Sequence, residues 1–219
     1  MSTSLVEQAA HARRRVTALL EGCPLLELPG GESRGADELP AAVLLLVDAG
    51  TVALVRSAEA TARRIVLALA GPRELLLPPG PDDRLTAVTH ARLTVVPTET
   101  YSALLASPEA AAEIADLLAE AICERERSLG TLARFPHVER VRAKLLQLAR
   151  SHGRVSERGV LIRLPLTHDL LADMVGSARE TVTWAIRELV EEGFISREGR
   201  LYRLHVPPEE IQGDRRPAP

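Results

Sequence analysis

The stretch that decides the fold is residues 164–204, which read LPLTHDLLADMVGSARETVTWAIRELVEEGFISREGRLYRL. The spacing of apolar residues predicts a short helix over 169–175, a tight turn at Gly176 and a second helix over 177–191. Two brief strands on either side of Gly199 follow the second helix. This order of elements is typical of a winged helix-turn-helix, whose second helix enters the major groove of DNA.

Both helices carry start signals in the sequence. Thr167 is the predicted N-cap of the first helix, and Gly176 suits a turn that needs a residue tolerant of positive φ. Ser177 and Glu180 have the spacing of a capping box, which predicts that the second helix begins at Ser177. Three residues of the second helix lie at i, i+4 and i+7 and are expected to face the core: Val182, Ile186 and Leu189.

The opposite face of the second helix carries groups that suit contact with bases. Arginine can bind guanine O6 and N7 together, and glutamate can accept a hydrogen bond from the cytosine amine. Two alternatives to DNA binding stay open for this face. It could be a solvated face on a small helical domain, or the winged helix could bind protein. The predicted base-reading residues are Arg179, Glu180, Thr183, Trp184 and Arg187. Hydroxyls, helix N-terminal amides and wing arginines suit phosphate contacts: Thr167, Ser177, Arg197, Arg200 and Arg203.

The distribution of charge separates this segment from the rest of the chain. The 219 residues have a net charge of −3, yet residues 134–205 hold 13 Lys and Arg against nine Asp and Glu, which gives +4. Residues 1–133 carry −6. A basic module joined to an acidic one suits a DNA reader coupled to a second domain.

The N-terminal part of the sequence, from residue 25 to residue 96, consists of short apolar runs divided by Pro and Gly clusters. Runs of about five residues with turns between them predict a β-sandwich or barrel. An amphipathic helix over 5–21 precedes them. The predicted strands are residues 25–28, 42–47, 51–55, 64–69, 75–77 and 93–96.

Residues 108–134 have the pattern of a long helix with two apolar faces. One apolar face follows the heptad positions given at the end of this paragraph. The other face, a second stripe of Ile114, Leu117 and Ala121, is expected to pack on the β-domain. The alternative to a self-associating helix is a plain core helix. A helix over 138–152 and a strand over 160–164 follow, and the tail 207–219 is expected to be disordered. The heptad positions, which predict self-association, are Ala111, Ala115, Leu118, Ile122, Arg125, Leu129 and Leu132.

The string VGSARETV at residues 175–182 resembles the recognition motif of the cAMP receptor protein (CRP/FNR) superfamily of bacterial transcription regulators. The resemblance implies an α+β chain that forms a homodimer on pseudo-palindromic DNA, with Arg179 and Glu180 reading bases. Trp184 falls where many members have a second base-reading arginine, so we expect an operator that departs from the common consensus. Arg187 is a candidate substitute for that arginine.

The same resemblance divides the chain into four parts. These are a cyclic-nucleotide-binding-like β-roll with its N-terminal helix over 1–107, a dimerisation helix over 108–134, the winged helix-turn-helix over 135–206 and the tail over 207–219. The predicted dimerisation residues are Leu118, Ile122, Leu129 and Leu132. The resemblance also implies two further candidate partners, RNA polymerase and a small-molecule effector.

The β-roll matches the family pattern less well. Family members that bind cyclic nucleotides hold the ribose with a Gly-Glu pair and the phosphate with an Arg-Ser pair about ten residues later. Glu74 and Arg84 have that spacing, but Arg73 and Leu85 replace the glycine and serine, and prolines fill residues 78–81. We therefore expect an unidentified effector that is not cAMP. The alternative is a cyclic-nucleotide-responsive regulator that uses Glu74 and Arg84.

The sequence offers no motif for catalysis, so we expect no enzyme activity and no cofactor. Cys23 and Cys123 are too few to hold an iron–sulfur cluster. His11 and His90 are candidate haem ligands only as isolated histidines, and the expectation is no metal. The N-terminus lacks the apolar core of a signal peptide and no apolar run approaches membrane-spanning length, which predicts a cytoplasmic protein.

Overall fold

The computed structural model describes residues 16, 18–58, 63–134, 136–207 and 211. Contacts divide the chain into two units, Met1–Arg56 with Leu67–Glu126 and Ser57–Val66 with Arg127–Pro219. Most of the predicted helix over 5–21 and of the tail over 207–219 lies outside the described residues. None of the helices within the described ranges has the length and apolarity to cross a membrane.

Eight strands form two four-stranded sheets in the N-terminal part of the chain. The first sheet has the order β1-β8-β3-β6 and the second has the order β2-β7-β4-β5. β8 pairs antiparallel with β1 and β3, and β7 pairs antiparallel with β2 and β4. The strands are β1 (Leu25–Leu28), β2 (Ser33–Arg34), β3 (Leu44–Ala49), β4 (Val52–Ala58), β5 (Arg63–Ala70), β6 (Leu75–Leu76), β7 (Asp83–Ala87) and β8 (Ala91–Val96).

Alternation along the strands supplies two apolar cores. Leu45 and Val47 of β3 pack between the sheets, in a cluster that includes Leu85 of β7. Leu44, one residue earlier, belongs to a second cluster on the opposite face of its sheet, because successive side chains of a strand point to opposite faces. Helices α1 (Thr98–Ala106) and α2 (Pro108–Arg134) cover that face.

The predicted second stripe of α2 is confirmed in part by this packing. Ala110 and Ile114 are 0% and 3% exposed, and both belong to the second cluster. Leu117 packs against the same cluster and is half-buried. The first two turns of α2 are therefore anchored on the β-domain.

Residues 136–207 of the second unit contain three helices and a four-stranded sheet. The helices are α3 (His137–His152), α4 (His168–Val175) and α5 (Arg179–Glu191), and the sheet order is β11-β12-β10-β9. Buried residues include Val141 and Leu145 of α3 and Tyr202 of β12, each 0% exposed. The strands are β9 (Gly153–Ser156), β10 (Gly159–Ile162), β11 (Ile195–Glu198) and β12 (Leu201–Leu204).

Among the strands and α-helices of the described residues, four are not predicted by the sequence patterns: β2, β7, α1 and β9. β2 is two residues long and β9 is exposed throughout. Neither strand therefore has the alternation of apolar and polar residues from which a strand is predicted. β7 alternates, but only Leu85 and Ala87 are apolar among its five residues. The predicted strand over 160–164 is β10, which joins the wing by pairing with β12. The α+β class is confirmed.

Candidate nucleic-acid interface

The turn between α4 and α5 is built as the sequence predicts. Thr167 caps α4, and its Oγ1 accepts a hydrogen bond from the Leu170 backbone N–H at 3.1 Å. Gly176 ends the helix in the left-handed conformation, with φ of 61° and ψ of 40°. Its N–H donates to the Ala172 carbonyl. Both the N-cap and the glycine turn are confirmed.

The capping box predicted from Ser177 and Glu180 is wrong. α5 begins at Arg179, its N-cap is Ala178, and no side chain caps it. The Ser177 hydroxyl instead lies 2.8 Å from His137 Nδ1. The N-cap lies one residue later than the pattern assumes, and the Ser177 hydroxyl contacts a residue 40 positions earlier in the chain. A local motif cannot reveal such a long-range contact.

α5 presents one buried and one exposed face. Val182 and Leu189 are 0% exposed and Ile186 is 6% exposed, so the predicted core stripe is confirmed. All five predicted base-reading residues are exposed, and they lie on the remaining face: Arg179, Glu180, Thr183, Trp184 and Arg187. The predicted phosphate residues are exposed as well, with Ser177 and Arg203 half-buried.

The two arginines of this face are held in exposed ion pairs. Arg179 Nε lies 3.7 Å from Asp169 Oδ1, and Arg187 Nε lies 2.8 Å from Glu191 Oε1. Surface pairs of this kind contribute only about 0.2–1 kcal/mol, because water screens them. Both arginines can therefore exchange these partners for a base or a phosphate at little cost.

His168 is a contributor to the interface that sequence reasoning missed. Its Nδ1 lies 2.8 Å from Thr183 Oγ1, and the Thr183 hydroxyl donates its own proton to the Arg179 carbonyl at 2.9 Å. The imidazole must therefore donate through Nδ1. Burial, followed by the positive charges of Arg197 and Arg179, lowers the pKa of His168. A neutral His168 thus positions Thr183 on the reading face.

His137 and Arg140 form a second missed group, beside the turn. The Arg140 guanidinium donates to His137 Nδ1 at 3.0 Å and to the Val175 carbonyl at 3.3 Å. Nδ1 therefore acts as an acceptor, and Nε2 of His137 carries the proton. His137 is exposed on α3, and its Nδ1 contacts Ser177, one of the predicted phosphate-binding residues. Only the three-dimensional contact reveals this group.

The wing separates its three arginines into two kinds. Arg197 and Arg200 are exposed, and Arg197 Nε donates to the Gly199 carbonyl at 2.8 Å. Arg203 is bound to the sheet: it donates to Glu198 Oε1 at 2.6 Å and to Ser156 Oγ at 2.8 Å. The side chain of Arg203 is only 13% exposed. Arg203 is thus held as a sheet residue, unlike the free wing contact predicted.

The two predicted effector residues, Glu74 and Arg84, have different partners within the chain. Glu74 lies next to β6 of the first sheet, and its Oε2 accepts a hydrogen bond from the Gly71 N–H at 2.8 Å. Arg84 lies on β7 of the second sheet. Its guanidinium donates to Glu38 Oε2 at 2.8 Å and to the Ser33 carbonyl at 2.9 Å. The anion-binding group is therefore already paired with a carboxylate of the chain itself.

The turn before Glu74 keeps a glycine-like backbone without the glycine. Arg73 has a φ of 73°, the left-handed conformation that glycine adopts most readily. Arg73 therefore has a side chain at a position whose backbone conformation favours glycine.

The predicted dimerisation residues differ in environment. Leu118 is half-buried against the core of the first unit, whereas Ile122 is 56% exposed. The side chains of Leu129 and Leu132 lie outside the described residues. Of the isolated histidines, His90 pairs with Glu27 at 3.0 Å and His11 lies outside the described residues.

Similarity to known proteins agrees with this geometry. Residues 139–208 match the family model of the Crp-like helix-turn-helix domain. A CRP-like cAMP-activated global transcriptional regulator of Mycobacterium tuberculosis is 26% identical over 192 residues, which cover 84% of this chain and 85% of that protein. The transcriptional regulator SdrP of Thermus thermophilus is 37% identical over 109 residues, which cover 50% of each protein.

A solved structure shares nearly the whole architecture. A CRP/FNR-family transcriptional regulator from Thermus thermophilus superposes with a TM-score of 0.65 at 25% identity, covering 87% of this chain and 97% of that one. The fold and the exposed face of α5 define a class, the DNA-binding transcription regulators with a winged helix-turn-helix. Within that class, residues 139–208 form a Crp-like helix-turn-helix domain, and most of the chain is similar to regulators of the CRP/FNR superfamily. The resemblance noted at residues 175–182 is confirmed.

Proposed function

We propose that this regulator acts in the cytoplasm as a homodimer that binds a pseudo-palindromic operator, with α5 of each subunit in the major groove. The observation that carries the proposal is the face of α5, where the predicted base-reading residues are exposed opposite a fully buried stripe. Two-fold pairing would place two such helices in successive grooves about 34 Å apart.

The proposed contacts with DNA are of two kinds: contacts with bases, which read the sequence, and contacts with phosphates, which position the helix. Arg179 and Glu180 lie in the first turn of α5, where residues of a recognition helix contact base edges. Thr183 is fixed by His168 and adds a hydroxyl one turn later. Phosphate contacts from Thr167, Ser177, Arg197 and Arg200 hold the helix in register without reading sequence.

The pairing of subunits is proposed through the exposed side of α2. Ile122 is a large apolar residue that is 56% exposed, one turn after the half-buried Leu118. Burying such residues between two copies of the helix removes apolar surface from water. Leu129 and Leu132 continue the same heptad spacing in the sequence.

The proposed effector is not a cyclic nucleotide held by Glu74 and Arg84. The Mycobacterium tuberculosis relative is named as cAMP-activated. In this chain the Arg84 guanidinium forms an ion pair with Glu38, and the Glu74 carboxylate accepts a hydrogen bond from the Gly71 backbone N–H in its own turn. An anion at Arg84 would have to displace a carboxylate of the protein. An effector of other chemistry and RNA polymerase are the further proposed partners.

Selection from a random-sequence duplex library at low salt tests the proposal. We expect one enriched pseudo-palindromic site, whose affinity falls steeply as salt rises because counterions are released. Arg179→Ala should lose about tenfold or more in affinity and relax the preference at one base pair in each half-site. Arg163→Ala removes an exposed arginine outside the reading face and serves as the matched control.

Two results would refute the proposal in different ways. If no duplex is enriched, the winged helix-turn-helix acts by the alternative route of protein contacts. If Arg179→Ala keeps the wild-type base preference, Arg179 does not lie on the reading face.

A further inference from the structure

Trp184 holds an unusual place on the reading helix. It is the only tryptophan of the chain, and 58% of it is exposed. It lies two residues after Val182 and two before Ile186, which are 0% and 6% exposed. Each residue of a helix turns by about 100°, so Trp184 projects opposite the buried stripe.

The indole ring of Trp184 is available to contact DNA because its neighbours among the described residues do not use its N–H or cover its surface. It lines a shallow hollow with Arg187, Glu188 and Glu191. The nearest cation in that hollow, Arg187, is already paired with Glu191 at 2.8 Å. The indole N–H meets no hydrogen-bond acceptor in the part of the chain that the structure describes. The ring therefore offers one apolar surface and one unused donor.

The bases differ in how well they match such a group. In the major groove thymine presents the O4 acceptor next to the C5-methyl group. Cytosine presents only an amine donor, and guanine presents two acceptors without a methyl group. Adenine combines an acceptor with a donor. Thymine is the base that offers both an apolar group and an acceptor to an indole ring.

We propose that Trp184 selects thymine in each half-site of the operator, by packing its ring on the C5-methyl group and donating its N–H to O4. This inference rests on the proposed docking of α5 in the major groove and specifies one base that the helix reads. It also gives a chemical reason for an operator that departs from the consensus of arginine-bearing relatives.

Single-atom changes in the operator test the inference. After selection of the operator, each thymine is replaced in turn by deoxyuridine, which lacks the methyl group. In separate duplexes it is replaced by 5-methyldeoxycytidine paired with guanine, which keeps the methyl group but turns the O4 acceptor into a donor. The affinities of full-length wild type, Trp184→Ala and Trp184→Phe are measured by anisotropy of labelled duplexes at one salt concentration.

We expect one thymine in each half-site at which deoxyuridine lowers wild-type affinity about fourfold, the effect of uncovering one methyl group. The same change should have no effect on Trp184→Ala. Trp184→Phe should keep the response to deoxyuridine but discriminate less against 5-methyldeoxycytidine, because phenylalanine has no N–H. Val190→Ala is the matched control: this residue is 43% exposed in the last turn of α5, and its removal should leave the fourfold response intact.

The outcomes separate the two proposals. Equal sensitivity to deoxyuridine in wild type and Trp184→Ala overturns the role of Trp184. If selection succeeds and Arg179→Ala relaxes specificity, that result leaves the proposed function standing. A selected operator without thymine in the half-sites also overturns the role of Trp184 and leaves the proposed function standing. If no duplex is selected at all, the proposed function and this inference both fall.

Discussion

At the scale of single residues, His168 couples the protonation of the protein to the geometry of its reading face. Its Nε2 is buried without a hydrogen-bond partner among the described residues, so a proton there would be poorly solvated. The lowered pKa of His168 in the folded chain expresses that cost. The unfolded chain, with an ordinary histidine pKa of about 6.5, takes up the proton first as pH falls.

The stabilisation from neutral His168 is therefore complete above about pH 6.5 and is lost as pH falls through the lower, folded-state pKa. We expect His168→Asn, whose amide can still donate to Thr183, to lose less Tm than wild type on acidification over this range. Calorimetry at a series of pH values provides the measurement. Parallel curves for the two proteins would show that His168 does not cause the loss.

Gly176 gives a second prediction at this scale. Its φ of 61° is strained for a residue with a Cβ. Gly176→Ala should lower the free energy of unfolding by about 1 kcal/mol. Gly130→Ala is the control, because Gly130 lies inside α2 and a Cβ added there would meet no atom within 4 Å. There the same change should stabilise by about 0.5–1 kcal/mol. Chemical denaturation that gives both changes one sign would contradict this account.

The residues of the interface show how far sequence patterns reach. Thr167 and Gly176 were predictable because their roles depend on neighbours within four positions. Ser177 and Arg203 were assigned other roles because their partners, His137 and Ser156, lie 40 and 47 positions away. His168 escaped notice because its contact with Thr183 crosses the turn.

At the scale of elements, α2 carries a prediction about assembly. Ile122→Glu places a charge at the proposed subunit contact and should shift the dimer towards monomer at micromolar concentration, because a buried charge without a partner is unfavourable. Leu105→Glu changes a similarly exposed apolar residue of α1, 49% exposed, and should leave the dimer intact. Sedimentation velocity compares the two. A monomeric wild type, or a dimeric Ile122→Glu, would remove α2 from the interface.

The helices of this chain were easier to predict than its strands. α2 follows the predicted bounds 108–134, because a 27-residue helix repeats its apolar spacing many times. β2, with two residues, repeats nothing and exists only because β7 pairs with it. Strand pairing is a long-range property, so the order of strands within each sheet was beyond sequence reasoning.

At the scale of the whole molecule, the ion pair of Glu38 with Arg84 leads to a prediction about ligand binding by the β-domain. A backbone hydrogen bond from Gly35, and the ion pair with Arg84, lower the pKa of Glu38, so this carboxylate stays charged at neutral pH. We expect cAMP to give no saturable heat in calorimetry and no change in operator affinity. Binding of cAMP that Arg84→Ala abolishes would instead restore the cyclic-nucleotide alternative.

The solitary indole of the reading helix also has an optical consequence. All tryptophan emission of this protein originates from residue 184, and both tyrosines can be avoided by exciting at the red edge of the absorption band. A ring that is 58% exposed in the free protein is open to a soluble quencher such as iodide. Shielding from that quencher would report, without any label, the moment at which this side chain meets DNA.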